Sequence, residues 1–187
     1  GDDFTVDTSK LVVEGDTGNV GIGTATPEVL LNIYTGSAGS VSPNTNYDDL
    51  VIESNTHCGI SFLTPVDTAQ GIIFGDVNSN DAGSIVYNHT SASESMSFTV
   101  EDSEAMRIDK DGNVGIGTNA PLMPLSIAAV NGAPATSGTT PVGNLRIEDI
   151  SSTSNVLDMG TYDSSPYGVW IQVTDRDNLS LEYPLIL

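Results

Sequence analysis

A ten-residue phrase occurs twice in this chain, and the repeat restricts what the chain can fold into. The first copy is Gly18-Asn19-Val20-Gly21-Ile22-Gly23-Thr24-Ala25-Thr26-Pro27; the second is Gly112-Asn113-Val114-Gly115-Ile116-Gly117-Thr118-Asn119-Ala120-Pro121. The copies stand 94 residues apart, and at that offset Phe4 to Tyr34 aligns with Phe98 to Ala128 without a gap. Phe-Thr-Val opens each copy (Phe4-Thr5-Val6, Phe98-Thr99-Val100), and Leu-x-Ile closes each (Leu31 and Ile33, Leu125 and Ile127). A repeat of long period marks a protein stacked from similar units. Such a plan suits a fibre better than an enzyme.

Between these landmarks the chain reads as short strands. Gly or Pro interrupts it often, and the apolar residues alternate with polar ones at a period of two. Expected strands are Leu50-Val51-Ile52, Gly59-Ile60-Ser61-Phe62-Leu63, Gly71-Ile72-Ile73-Phe74, Ser84-Ile85-Val86-Tyr87 and Met96-Ser97-Phe98-Thr99-Val100. Met106-Arg107-Ile108 and Val114-Gly115-Ile116 flank Asp111-Gly112-Asn113, a hairpin signal. Leu11-Val12-Val13 and Val20-Gly21-Ile22 repeat it with a turn about one residue longer, which points to a bulge in one copy. In Val-Gly-Ile-Gly the large residues face one side and the glycines the other, where a second backbone can approach closely.

The alternation of hairpins and loops gives six segments. Residues 1–36 are hairpin copy one, 37–46 a linker, 47–97 a β module, 98–130 hairpin copy two, 131–143 a second linker, and 144–187 a second β module. Each linker is followed by Leu-x-Ile-Glu (Leu50 to Glu53, Leu145 to Glu148). Small hairpins alone bury too little to be stable. Three chains around one axis would bury Val20, Ile22, Val114 and Ile116 against their symmetry mates; a single-chain β-solenoid fits the pattern as well.

Charge excludes several partners. There are 25 acidic residues against five basic ones, a net charge of −20. Phosphate binding needs clustered Lys and Arg, so neither nucleic acid nor an anionic membrane surface is an expected partner. No apolar run reaches the length of a membrane span. Leu, Ile, Val and Phe make up about a quarter of the chain, enough to fold. Cys58 is the single cysteine, so one chain can form neither a disulfide nor a cysteine-based zinc site.

The candidates for chemistry are few. Asp109-Lys110-Asp111-Gly112-Asn113 has the opening of a calcium loop, with Asp109 and Asp111 as ligands. Ala120 and Pro121 stand where a bidentate Glu is needed, which favours a hairpin turn. His57 and Cys58 are adjacent and would point to opposite faces of a strand, a poor arrangement for a nucleophile and its base. His89 follows Tyr87 and Asn88 in a turn. The acidic pairs Asp48-Asp49 and Glu101-Asp102 read as solvated surface rather than a glycosidase dyad. Trp170, Tyr162 and Tyr167 would stack on sugar if exposed together, although aromatic residues more often fill small cores. The glycine phrase lacks the following helix and lysine of a phosphate cradle. No catalytic residue, cofactor or metal is expected.

The phrase Gly-Asn-Val-Gly-Ile-Gly-Thr-x-x-Pro followed by Leu-x-Ile resembles the repeats of bacteriophage tail fibres. The stretches Gly71 to Asp76, Asp81 to His89, Met96 to Phe98 and Met106 to Asp109 resemble the module that precedes the phrase in such fibres. Leu157 to Gly160, Trp170 to Gln172, Asn178 to Ser180 and Tyr183 to Leu187 resemble a second of their modules. The resemblance covers nearly the whole chain. It implies an all-β fold: an elongated, intertwined homotrimer, a β-prism or triple-β-helix-like shaft of repeated hairpin and strand modules. It further implies a virion structural protein, assembled in the host cytoplasm, that positions a receptor-binding tip. Implied partners are further copies of the chain, other tail or baseplate proteins, and a host surface glycan or protein. A depolymerase tailspike fragment, a bacterial adhesin and the fibre of a phage-like injection system are the competing readings. Both termini look like cuts within a longer chain, with another glycine phrase expected within about 15 residues after Leu187.

Overall fold

The computed structural model of the chain describes residues 2–129, 132–148, 154–165 and 167–185. The described residues form fourteen strands and no helix, so the chain is all-β, as the period-two alternation requires. The strands make three sheets. They fall into two compact units, Gly1–Ser61 and Phe62–Leu187.

The first unit holds one sheet, in the order β1 (Phe4–Val6), β2 (Leu11–Val13), β3 (Val20–Ile22), β4 (Leu31–Tyr34) and β5 (Leu50–Glu53). β1, β2 and β3 are antiparallel neighbours; β4 lies parallel to β3, and β5 parallel to β4. The eight residues between Ile22 and Leu31 are fewer than the dozen or so that a parallel crossover usually takes. Glycine makes the short return possible. Gly23 turns the chain at φ +84, and the loop then folds over Gly21, where a Cβ would stand 2.8 Å from the Thr24 carbonyl oxygen.

The second unit holds two sheets. One is a six-stranded run of β6 (Ala69–Phe74), β7 (Gly83–Asn88), β8 (Ser95–Val100), β9 (Ser103–Asp109), β10 (Val114–Ile116) and β11 (Leu125–Ile127). It is an antiparallel meander up to β10, to which β11 pairs in parallel. The other sheet is antiparallel: β12 (Leu145–Glu148), β13 (Asn155–Thr161) and β14 (Val169–Asp175).

The two copies of the repeat share topology but not register. In the second, Glu101 and Asp102 (φ 49 and 59) form a tight turn between Val100 and Ser103. Two successive positive φ values give the mirror-image turn whose twist suits a hairpin. The ladder then shifts, pairing Thr99 with Glu104 but Phe98 with Met106, so that Ala105 is a bulge. In the first copy Val6 pairs with Leu11 across a four-residue turn without a bulge. In the next turn six residues separate Val13 from Val20, and five separate Ile108 from Val114. The two differences add, so that Phe4 shares a row with Val20 whereas Phe98 shares one with Ile116, two residues further along the repeat.

Two strand assignments differ from expectation. Gly59 to Leu63 joins no sheet among the described residues, and Ile60 and Leu63 stand exposed; the division between the two units falls within it. The two Leu-x-Ile-Glu strands, equivalent in sequence, take different partners. β5 adds in parallel to β4, whereas β12 pairs antiparallel with β13. Ile186 and Leu187, at the end of the stretch that resembles a second fibre module, lie outside the described residues, as do Val130 at the end of hairpin copy two and Asn131 at the start of the second linker.

Burial is sparse. Among the described residues the fully covered apolar side chains are Val12, Val29, Val156, Trp170 and Leu179. The accessible surface is 12885 Å². A single globule of this mass would expose about 8,500 Å², and two separate globules about 10,000 Å².

Candidate functional site: uncovered apolar sheet faces

The ladder registers show where the missing burial went. Across the six-stranded sheet, Ile72, Ile85, Phe98, Met106, Ile116 and Ile127 stand directly opposite one another on successive strands. Tyr87, Met96, Ile108, Val114 and Leu125 form the adjacent row on the same face. Directly opposed side chains on one face are close neighbours, so this is one continuous apolar surface. Its members are half-buried or exposed, with Ile116 at 42%. The other face carries the row Gly71, Val86, Ser97, Arg107, Gly115 and Ser126.

The sheet of the first unit repeats the design. Phe4, Val13, Val20, Leu31 and Leu50 make one row; Ile22, Ile33 and Ile52 belong to the next. The opposite face presents Val12, Gly21 and Asn32 to the returning Gly23–Leu30 loop, and all three are buried. The glycines of Val-Gly-Ile thus sit beneath their own loop. Val20, Ile22, Val114 and Ile116 point to the side that this chain leaves uncovered.

The third sheet has an apolar outer face and an inner face that mixes polar groups with Val156 and Trp170. Leu145, Met159 and Ile171 form one row, and Ile147, Leu157 and Val173 the next; Val169, beside them, is 81% exposed. The inner face holds Arg146, Val156, Asp158, Gly160, Trp170, Gln172 and Thr174. Trp170 is buried, donates its indole N–H to the Gly132 carbonyl at 2.9 Å, and lies against Gly160 and Gly143. A Cβ on Gly160 would come within 2.4 Å of the indole ring. Gln172 donates to the Ala135 carbonyl at 2.9 Å, so the second linker is bound down over this face. The fork of Arg146 meets both Asp158 oxygens at 2.7 Å. That hydrogen bond raises the guanidinium pKa, and partial burial opposes it.

The residues singled out for chemistry do not converge. Asp109 Oδ1 accepts the backbone N–H groups of Asp111 and Asn113 at 2.9 and 2.8 Å, and Oδ2 accepts the Asn113 amide at 3.1 Å. Desolvation pushes its pKa up, but these donors and nearby Lys110 outweigh it, and the net shift is down. Asp111 instead accepts Lys110 Nζ at 2.8 Å. Asp109 therefore clamps the hairpin turn through oxygens that a calcium ion would need. Among the described residues no three His, Cys, Asp or Glu side chains gather as a metal site.

Cys58 is exposed, with its thiol 3.4 Å from the Ile52 carbonyl oxygen, and neither it nor His57 belongs to a strand. His89 packs edge-on to Tyr87, centroids 4.7 Å apart, and its backbone N–H donates to Thr68. Asp49 offers its carbonyl to the Leu31 N–H, while Glu101 and Asp102 form the tight turn. Trp170 is taken into the third sheet and Tyr167 stands 81% exposed, so the aromatic trio is not one stacking surface. The sequence reading passed over the Arg146–Asp158 pair. A basic and an acidic residue twelve positions apart carry no signal until the β12–β13 register sets them opposite each other. The chain matches no model of a known protein family and no curated protein.

Proposed function

We infer that this chain is a shaft segment of a homotrimeric, elongated fibre, and that the fibre is a bacteriophage tail fibre holding a receptor-binding tip away from the virion. One observation carries the inference: every sheet keeps an apolar face that its own chain leaves uncovered. Each fully buried Ile, Leu or Phe contributes about 1.5–3 kcal/mol, so three faces of such residues are a large unspent driving force. Further copies of the same chain are the simplest cover, because a closed symmetric assembly lets each face meet an equivalent face.

The other parts of the reading rest on the resemblance of the repeats to those of tail fibres. The role is mechanical, so the chain is proposed to be no enzyme and to need no cofactor. Its partners are its own copies, neighbouring tail or baseplate proteins, and, through the tip, a host surface glycan or protein. Its place is the virion. The net charge of −20 opposes close packing of copies, so apolar contact has to outweigh it, and salt should help by screening.

Light scattering on a size-separated peak tests the assembly. The expected mass is three times 19.5 kDa, with a frictional ratio well above that of a sphere. A monomer would overturn the fibre reading. Reducing ends released from host polysaccharide would favour the tailspike reading instead, and the neighbouring genes would separate a phage fibre from an adhesin or injection-system fibre.

A further inference from the structure

We propose that a polar cavity in the first unit binds a neutral, polyhydroxylated ligand, a mono- or oligosaccharide. The cavity measures about 420 Å³ and opens beside the Gly23–Glu28 loop, with Asn32 and Tyr34 of β4, Glu53 of β5 and Val41 among its walls. Its size suits one or two sugar rings, within the about 300–1,000 Å³ of small-molecule pockets.

Asn32 points to a ligand. The residue is 6% exposed, and its amide Nδ2 has no hydrogen-bond partner. Buried donors are nearly always paired, so an exception asks for a reason. The second repeat supplies the comparison. Ser126 stands at the equivalent position, paired with Gly115 as Asn32 is with Gly21. Its hydroxyl accepts the Leu122 N–H at 3.2 Å, within its own loop. The first copy has a larger side chain there and leaves its donor unpaired.

The walls decide the ligand class. Glu28 and Glu53 border the cavity and repel anions. A cation would meet the amide N–H of Asn32 and finds no cluster of three ligating side chains among the described residues. A hydroxyl group both donates and accepts. It can take the Asn32 N–H and give its own proton to a carboxylate oxygen. Glu53 is held for this, since its Oε1 accepts the Ala38 N–H at 2.7 Å. Tyr34 and Val41 add apolar surface for the C–H face of a ring.

Saturation-transfer NMR on the full 187-residue chain tests the proposal, with D-glucose, D-galactose and N-acetyl-D-glucosamine as probes at about 5 mM, a range that detects millimolar affinity. At least one probe should give a signal. Asn32→Ser, which copies the second repeat, should weaken it at least about tenfold, the loss of one good hydrogen bond to a ligand. Ser126→Ala should leave it unchanged. Should Asn32→Ser fail to fold, Thr26→Trp, which fills the cavity mouth, takes its place and should abolish the signal. Silence from all three sugars, or a signal that survives Asn32→Ser and Thr26→Trp, overturns the site. The inference does not rest on the fibre reading: sugar binding by a monomeric chain would keep the cavity and sink the trimer.

Discussion

Arg146 and Asp158 face each other across β12 and β13 on the covered side of the third sheet, joined by two hydrogen bonds of 2.7 Å. The side chains next to them along both strands point the other way, where Leu145, Ile147 and Met159 are exposed and Leu157 is half-buried. Val156 is buried beside the pair, but a sheet that buries an ion pair and leaves a whole row of aliphatics exposed departs from the usual order of a one-chain domain. The arrangement makes sense if the second linker covers the inner face and another molecule covers the apolar one.

The pair is therefore expected to matter for local stability. Asp158 is 3% exposed, and removing it leaves the guanidinium without its partner in a poorly solvated place. Asp158→Ala should cost about 3 kcal/mol, read as a lower urea midpoint. The double change Arg146→Met with Asp158→Leu should recover most of the loss, because well-packed apolar residues can replace such a pair. A single variant as stable as the parent would show that the pair is idle.

Ile116 tests the uncovered face. It sits in the row that crosses the six-stranded sheet, opposite Met106 and Ile127. If copies pack there, Ile116→Asp would bury an unpaired charge near its symmetry mates. Light scattering should then report 19.5 kDa in place of the trimer mass, with a lower melting temperature. An unchanged mass would mean that this face is solvent-exposed in the assembly.

Much of the fold was legible in the sequence because glycine and alternation act locally. Asp111-Gly112-Asn113 and the Val-Gly-Ile alternation define the β9–β10 hairpin and its apolar face. The parallel addition of β4 and β11 was not legible, since Leu-x-Ile carries no sign of strand direction. Glu101-Asp102 read as surface charge, yet it forms a turn that Asn-Gly would ordinarily make. Gly59 to Leu63 has strand composition but pairs with no strand among the described residues, and composition cannot supply a partner. The cavity at Asn32 escaped notice because a polar residue between Leu31 and Ile33 looks like an ordinary outward-facing position; only the loop folded above it makes the site.

The glycines of the phrase should differ sharply in tolerance. Gly112 and Gly117 both have positive φ, +82 and +68, but space is open around Gly112, whereas a Cβ at Gly117 would stand 2.2 Å from the Ala128 carbonyl oxygen. Gly112→Ala should cost about 1 kcal/mol, the left-handed backbone penalty alone. Gly117→Ala adds a backbone collision and should cost about 3 kcal/mol or more. Thermal melts of the two variants check the ranking, and equal losses would mean that the Gly117–Pro124 loop can move away from β11.

Acid should loosen the β9–β10 turn through Asp109. Its pKa lies below the ordinary 3.8 because the N–H groups of Asn113 and Asp111, with Lys110 nearby, outweigh the desolvation that pushes it up. A carboxylate whose folded pKa is depressed binds its proton more readily in the unfolded chain. Its stabilisation is therefore complete above the unfolded pKa and is lost as pH falls through the folded value. Asp109→Ala removes the clamp at any pH. The melting temperature of the parent should exceed that of the variant by a constant margin from pH 7 down to about 4, and the margin should shrink as the pH falls further. A margin for Asp109→Ala that stays constant down to the most acid samples would mean that its charged oxygens do not hold the turn.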